Sequence, residues 1–371
     1  MEVDGAIFKD LDRDRDLDIY EDWRRTPLER AKDLAAKLSK DEIAGLMLYS
    51  GHQRVVSDTL TEEQLRFIID DNLRHVLVTK IESPAIAARW NNHLQALAES
   101  IGHGVPANNS SDPRHTSRAD AEFNAGGGGV ISMWPGMLGL TATFSPEVMK
   151  RFGEIVSEEY RALGLTTALF PQVDIDTDPR WFRYNYTLGE DPNLAVDLAK
   201  AYTEGLQTDT ITEVENGWGY KSVNAMVKHW PGTGACGEGG RDGHYNFGKY
   251  AVFPNHNFAI HTRPFLEGAL SLDGPTHCAS ALMPDYSVCV GVEPTGVAPG
   301  FSPTFIDKML RTDNHFDGVV CTDWCITHNV EGMKHGGKPW GVKDKSVVEH
   351  HYLALMAGCD QFGGNNEKIP L

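Results

Sequence analysis

Short apolar runs rich in β-branched residues recur along this chain, and the stretches between them carry apolar residues at helical spacing. The runs at 46–49, 76–79, 106–110, 168–173, 223–227, 279–283, 319–322 and 359–362 read as eight strands. The clearest helix spans 146–163, where Ser145 caps, Pro146 suits the first turn, and Val148, Phe152, Ile155, Val156 and Leu163 share a face. Strands alternating with helices predict a parallel sheet covered by helices. A count of eight in a chain longer than about 250 residues predicts a closed α/β barrel, the (β/α)8 TIM barrel. The glycine-rich stretches Gly126 to Gly129 and Gly234 to Gly243 read as long loops over the barrel mouth. The chain divides into an acidic segment, residues 1–26, and one barrel domain, residues 27–371.

Composition narrows the partners. Lys and Arg number 34 against 52 Asp and Glu, a balance of −18 that repels a phosphate backbone, so nucleic acid is excluded. No stretch approaches the 18 or so apolar residues of a membrane span. Six cysteines, none in a CxxC pair, read as ordinary buried thiols. The opening MEVDGAIFKDLDRD has no basic stretch followed by an apolar core, so the expected compartment is the cytoplasm, or a secreted or periplasmic one if a leader has been trimmed.

Barrel chemistry collects where strands end. The run at 106–110 leads into Asp112, Arg114 and His115, and the run at 168–173 into Asp174 and the arginine-bearing DPRWFR segment. The run at 223–227 ends in Lys228 and His229, that at 279–283 leads to Asp285 and Tyr286, and that at 319–322 ends in Asp323 and Trp324. A single Asp in such a place is as readily a helix cap or turn former; five polar clusters at equivalent places are harder to dismiss. Asp323 is a candidate nucleophile, with an indole beside it able to stack on the apolar face of a sugar. Lys228, His229 and Arg183 supply donors for hydroxyl groups and hold nearby carboxylates ionised.

The segments SSDPRH (110–115), DPRWFRYNYTLGEDP (178–192), KHWPG (228–232), ALMPDYS (281–287), GVVCTDW (318–324) and AGCDQFGGNN (357–366) resemble, in order and spacing, the barrel domain of glycoside hydrolase family 3, the β-glucosidases and their relatives. The resemblance implies that Asp323 is the nucleophile of a retaining, exo-acting hydrolase of terminal β-D-glucosyl residues. It assigns Asp112, Arg183, Lys228 and His229 to the hydroxyls of the non-reducing-end sugar, and Met283, Tyr286 and Trp324 to the walls of its pocket. Phe182, the stretch from Tyr184 to Tyr186, and Thr233 depart from the family pattern.

A retaining glycosidase also needs an acid/base about 5 to 5.5 Å from the nucleophile. In the two-domain members that this chain resembles, a Glu on an α/β sandwich after the barrel fills that role. The expectation is therefore a barrel lacking that sandwich, completed by a C-terminal domain or a second chain. Single-domain β-N-acetylhexosaminidases instead use a His oriented by an Asp two residues earlier, and Asp242 and His244 have that spacing. Glu238 reads as a solvated loop residue. A sugar-binding barrel with little turnover is the rival from another class, and a metal-dependent hydrolase is disfavoured because no strand end offers an HxH pair. No organic cofactor is needed, and a homo-oligomer is compatible with the sequence.

Asp10, Asp12, Asp14, Asp16 and Asp18 with Glu21 fall at positions 1, 3, 5, 7, 9 and 12 of an EF-hand calcium loop, with Arg15 where the turn favours Gly. Structural Ca2+ and a solvated, Arg-neutralised loop are the two readings. His350 and His351 lack an HExxH partner, and neither the Gly126 to Gly129 run nor GGKPW (336–340) has a phosphate-binding spacing.

Overall fold

The computed structural model describes residues 1–118, 125–209, 211, 216–237, 243–244, 248–330 and 337–371. Among these, eight parallel strands close a ring: β1 Leu48–Tyr49, β2 His75–Ile81, β3 Asn108–Ser111, β4 Thr167–Ala168, β5 Asn224–Trp230, β6 Ala281–Pro284, β7 Val319–Thr322 and β8 Gln361–Gly363. Each pairs with the next, and Phe362 of β8 lies opposite Leu48 of β1, so no edge is left open. A further strand, Gln53–Val55, adds to the far end of β2. The expected barrel is thus the observed one.

Strand parity sorts the side chains into two cores. Leu48, Val76, Val78, Ala168, Ala225, Val227, Leu282, Val320 and Phe362 face the helices. Tyr49, Leu77, Leu169, Met226, Ala281, Met283 and Cys321 fill the barrel interior. Two residues beyond an inward Met226, Met283 or Cys321 stand Lys228, Asp285 and Asp323, so the strand period itself carries these polar groups to the inner side of the barrel's C-terminal mouth.

The strand expected at 168–173 ends early, at Ala168. Pro171 has no N–H for the ladder; its carbonyl still accepts from the Lys228 amide at 3.0 Å, and the Val173 amide donates to the Lys228 carbonyl at 2.8 Å. The segment therefore stays alongside β5 through one isolated bridge, Gln172 to Lys228, and delivers Asp174 to the mouth.

The helix Pro146–Leu163 forms as expected, with the Ser145 hydroxyl accepting from the Val148 amide at 3.2 Å and Gly164 ending it at φ +82°. Its buried face differs from the expected one. Met149, Phe152, Gly153, Val156, Tyr160 and Leu163 are buried, whereas Val148 is 37% exposed and Ile155 lies at the margin. The stripe follows its neighbour, the helix Pro192–Gln207, which approaches at two glycines. A Cβ on Gly153 would sit 2.8 Å from the Tyr202 carbonyl oxygen, and one on Gly205 would sit 2.3 Å from that of Lys150.

Gly205→Ala tests this contact. Alanine is the better helix former by about 1 kcal/mol, but the clash is with backbone, which cannot rotate away, and overpacking costs about 1–3 kcal/mol. The substitution is expected to lower the urea midpoint followed by circular dichroism; an unchanged or raised midpoint would show that the two helices can separate freely.

Candidate active site

Two chains of buried charge meet at the mouth. The first joins β3 to β5. The Lys228 ammonium bonds Asp112 Oδ1, both side chains being about 95% buried, and Arg114 Nη2 approaches the same oxygen at 3.8 Å while its guanidinium stacks 3.8 Å over the Tyr186 ring. The Lys228 ammonium also lies 4.9 Å over the Phe170 ring. Burial pushes the Lys228 pKa down, Asp112 opposes that shift, and the positive charges of Arg114 and Arg183 add to it.

The second chain runs through His229. β5 carries one extra residue here: Met283 of β6 pairs with Lys228, but Pro284 pairs with Trp230, so His229 is left out of the ladder as a bulge. That bulge turns the imidazole into the mouth beside Lys228 instead of out toward the helices. Asp174 Oδ2 accepts a hydrogen bond from His229 Nδ1 at 2.8 Å. Burial lowers the His229 pKa against the pull of Asp174 and Asp323. A neutral ring that donates from Nδ1 leaves the Nε2 lone pair inward, 3.5 Å from Arg183 Nη1 and 3.8 Å from Asp323 Oδ2.

Asp323 is 6% exposed. Its Oδ1 accepts from the Trp324 amide at 2.6 Å, and its Oδ2 is buried with no aligned hydrogen bond among the described residues. His244 Nε2 stands 3.4 Å from that oxygen, an ion-pair approach. Burial by itself would raise the Asp323 pKa; His244 first, then His229 and Arg183, overcome it and hold the carboxyl well below the usual carboxylate range. The group is therefore an anion at neutral pH, with Oδ2 facing His244 and held by no aligned hydrogen bond among the described residues.

Aromatic walls fix the remaining geometry. The Trp324 indole N–H donates to the Ser50 carbonyl at 3.0 Å, and its ring tilts against Tyr49 at 5.2 Å. Gly363 makes room for it, since a Cβ there would lie 2.9 Å from the indole. The Tyr286 hydroxyl donates to the Trp324 carbonyl, and its ring meets His244 edge to face at 4.9 Å. Met283 closes the floor from inside the barrel. The His244 ring also faces Phe182, which is 41% exposed at the rim.

Asp112, Arg114, Asp174, Arg183, Lys228, His229, Tyr286, Asp323 and Trp324 thus converge, whereas Asp285 accepts from the adjacent Tyr286 amide at 2.6 Å and His115 leaves the site. His115 turns away into the helix layer, where Nε2 meets Glu159 at 3.0 Å and the ring packs against Phe152 and Tyr160. Asp242 and Glu238 lie outside the described residues. Asp174 is more than a strand-end acid: it sets the His229 tautomer, a role that its position after a strand hints at without naming the partner.

A barrel of this order with these motifs has relatives. The profile described as the glycosyl hydrolase family 3 N terminal domain matches residues 29–362. The chain belongs to this family. It is 37% identical to a periplasmic beta-glucosidase/beta-xylosidase of Dickeya chrysanthemi, over 98% of this chain and 57% of that protein. It is 34% identical to beta-glucosidase C of Emericella nidulans, over 94% and 55%. Among solved structures, a β-glucosidase from Erythrobacter marinus superposes with a TM-score of 0.71 at 24% identity, covering 95% of this chain and 42% of that one. An exo-1,3/1,4-beta-glucanase from a Pseudoalteromonas species does so with 0.69 at 20%, covering 93% and 39%. The likeness to these structures is one of fold. The chain spans a little over half the length of the curated relatives it matches.

Among the described residues, metal-capable groups occur in two regions of this family 3 barrel. His229, His244 and Asp323 bring their ligand atoms within 4.8 Å of one another. In the N-terminal segment, Asp10, Asp12 and Glu21 do the same, as do Asp12, Asp14 and Asp18, whereas the Asp16 carboxylate joins neither group. Glu21 is buried and accepts from the Leu11 and Asp18 amides, and Asp18 also meets Lys37 at 2.6 Å.

The Lys228 and Asp112 pair carries a stability test. Lys228→Met leaves a buried carboxylate facing only Arg114 and is expected to cost about 3 kcal/mol or more. Adding Asp112→Asn removes the stranded charge and should restore much of the loss. Chemical denaturation of the four proteins measures both steps; additive losses would show the pair to be uncoupled.

Proposed function

We propose that this barrel binds the terminal, non-reducing sugar of a β-glycoside, most naturally a β-D-glucoside, and cleaves it by double displacement with Asp323 as nucleophile. The observation that carries this reading is the state of Asp323: buried and ionised, with Oδ2 facing His244 and His229 among groups that can also hold a polyhydroxylated ring. Asp323 Oδ2 forms a bond to the anomeric carbon as the glycosidic C–O bond breaks, and the departing oxygen takes a proton from an acid. Water, deprotonated by the same group, then cleaves the glycosyl ester, so configuration is retained. Lys228 with Asp112, and Arg183 with His229, are placed to hold hydroxyls as donor and acceptor pairs, and Trp324, Tyr286 and Met283 offer the apolar wall. The names of the relatives support the β-glucoside and β-xyloside class, and the relative described as periplasmic supports an extracytoplasmic compartment over the cytoplasmic default.

The proton donor has two readings. His244 lies in the site and is the one imidazole besides His229 in contact with Asp323 among the described residues. Its Nε2 stands closer to the nucleophile than the separation at which an acid/base usually works, and the ring covers the carboxylate, so a sugar can enter only after His244 swings aside. This favours a donor from a C-terminal domain or a second chain, with His244 as the alternative.

A 2,4-dinitrophenyl 2-deoxy-2-fluoro-β-glucoside separates the steps, because its leaving group departs without protonation. Peptide mass spectrometry should find the fluoroglucosyl group on Asp323, and Asp323→Ala should abolish labelling. A label elsewhere, or none while natural substrate is still hydrolysed, would overturn the nucleophile assignment. Loss of alkyl glucoside hydrolysis in His244→Ala, with labelling retained, would identify His244 as the acid.

For the N-terminal segment we propose a structural Ca2+. Asp10 Oδ1 is buried and has no hydrogen-bond partner among the described residues, and it lies with Asp12 and Glu21 in a cluster of suitable size. Saturation at about 100 times the dissociation constant would add about 2.7 kcal/mol. Millimolar CaCl2 should raise the melting temperature over an EGTA control, and Glu21→Gln should remove the difference; identical melting curves would favour the solvated loop.

A further inference from the structure

We propose that His229, His244 and Asp323 form a reversible binding site for a zinc-class divalent cation, and that such an ion clamps His244 over the Asp323 carboxylate. The zinc site itself stands on geometry alone; only its competition with sugar rests on the function proposed above.

The spacing fits. A tetrahedral zinc ion with bonds of about 2.0–2.1 Å holds neighbouring ligand atoms about 3.3–3.4 Å apart. His244 Nε2 is 3.4 Å from Asp323 Oδ2, and His229 Nε2 is 3.8 Å from the same oxygen. The third edge, between the two imidazoles, falls within 4.8 Å, and the rings stand edge to face at 76°. Turning the His244 ring, which sits nearest the rim, closes that edge without moving the barrel.

The donors are also prepared. Metal-bound histidines commonly give their second ring proton to a carboxylate, which fixes the tautomer and raises ligand basicity. Asp174 already does this for His229 at 2.8 Å, so the Nε2 lone pair faces the site before any ion arrives. Asp323 Oδ2 is buried and without an aligned hydrogen bond among the described residues. Two imidazole nitrogens and one carboxylate oxygen suit zinc or copper far better than calcium or magnesium, which prefer oxygen throughout.

One group opposes the ion. Arg183 Nη1 lies 3.5 Å from His229 Nε2, occupying the lone pair that a metal would take. Asp174 and Asp323 supply two negative charges against that guanidinium, so the balance still favours a cation, but the arginine must draw back. The site is therefore expected to fill under added metal and to empty under a chelator, which makes it inhibitory, not a resident cofactor site.

The test uses the metal-stripped 371-residue chain and ZnCl2, titrated against a chromophoric zinc competitor. The expected result is one tight equivalent per chain that weakens at least 100-fold in His244→Ala and in Asp323→Asn, and about 10- to 100-fold in Asp174→Asn. X-ray absorption on the loaded protein should show two imidazole ligands. Zinc binding of unchanged strength in both His244→Ala and Asp323→Asn, or no tight equivalent in the unaltered chain, overturns the site. A glucose-configured iminosugar added to the same titration should displace the ion. If the equivalent is present and sensitive to His244 but no iminosugar binds, the zinc site stands and the glycosidase reading fails.

Discussion

The charged groups described at the mouth of this barrel are buried, and burial of that kind is tolerable where opposite charge or a hydrogen-bonding imidazole lies close by. Lys228 answers Asp112, with Arg114 behind it, and Arg183 with two imidazoles answers Asp323 and Asp174. The consequence for chemistry is direct. A buried carboxyl left to itself would protonate, yet Asp323 is held ionised by its neighbours, His244 first among them.

That arrangement requires the ring of strands to close with the correct parity. Several strands are short, β1 and β4 being two residues each, so a slip of one position would turn Lys228 or Asp323 outward among the helices. What prevents the slip is the outer layer, where apolar side chains pack on helices whose own spacing is set by close backbone approach at Gly153 and Gly205. The one deliberate break in parity, the bulge at His229, places adjacent residues of β5 in the same site and gives Lys228 and His229 different partners.

His244 meets Asp323 at the centre of these contacts. In the described conformation its ring lies against Asp323 and is braced by Tyr286, His229 and Phe182. Membership of family 3 agrees with the polar, carboxylate-rich mouth described above, and the chain spans a little over half the length of the curated relatives it matches.

Much of this was legible in the amino-acid order alone. Strand positions, the capped helix Pro146–Leu163 and the polar clusters after strands depend on local periodicity and turn chemistry, which act over a few residues. His115 shows the limit, since residues after a strand can turn either way and only the packing against Phe152 and Tyr160 decides. The exposed Val148 shows another, because which stripe of an amphipathic helix is buried depends on the neighbour it meets. Sequence by itself determined the barrel and the residue types at its mouth, because period and punctuation are local properties of the chain. Tertiary structure alone decided the pairings, such as Lys228 with Asp112 across 116 positions and His229 with Asp174 across 55, because charge compensation depends on distances that exist only once the ring has closed.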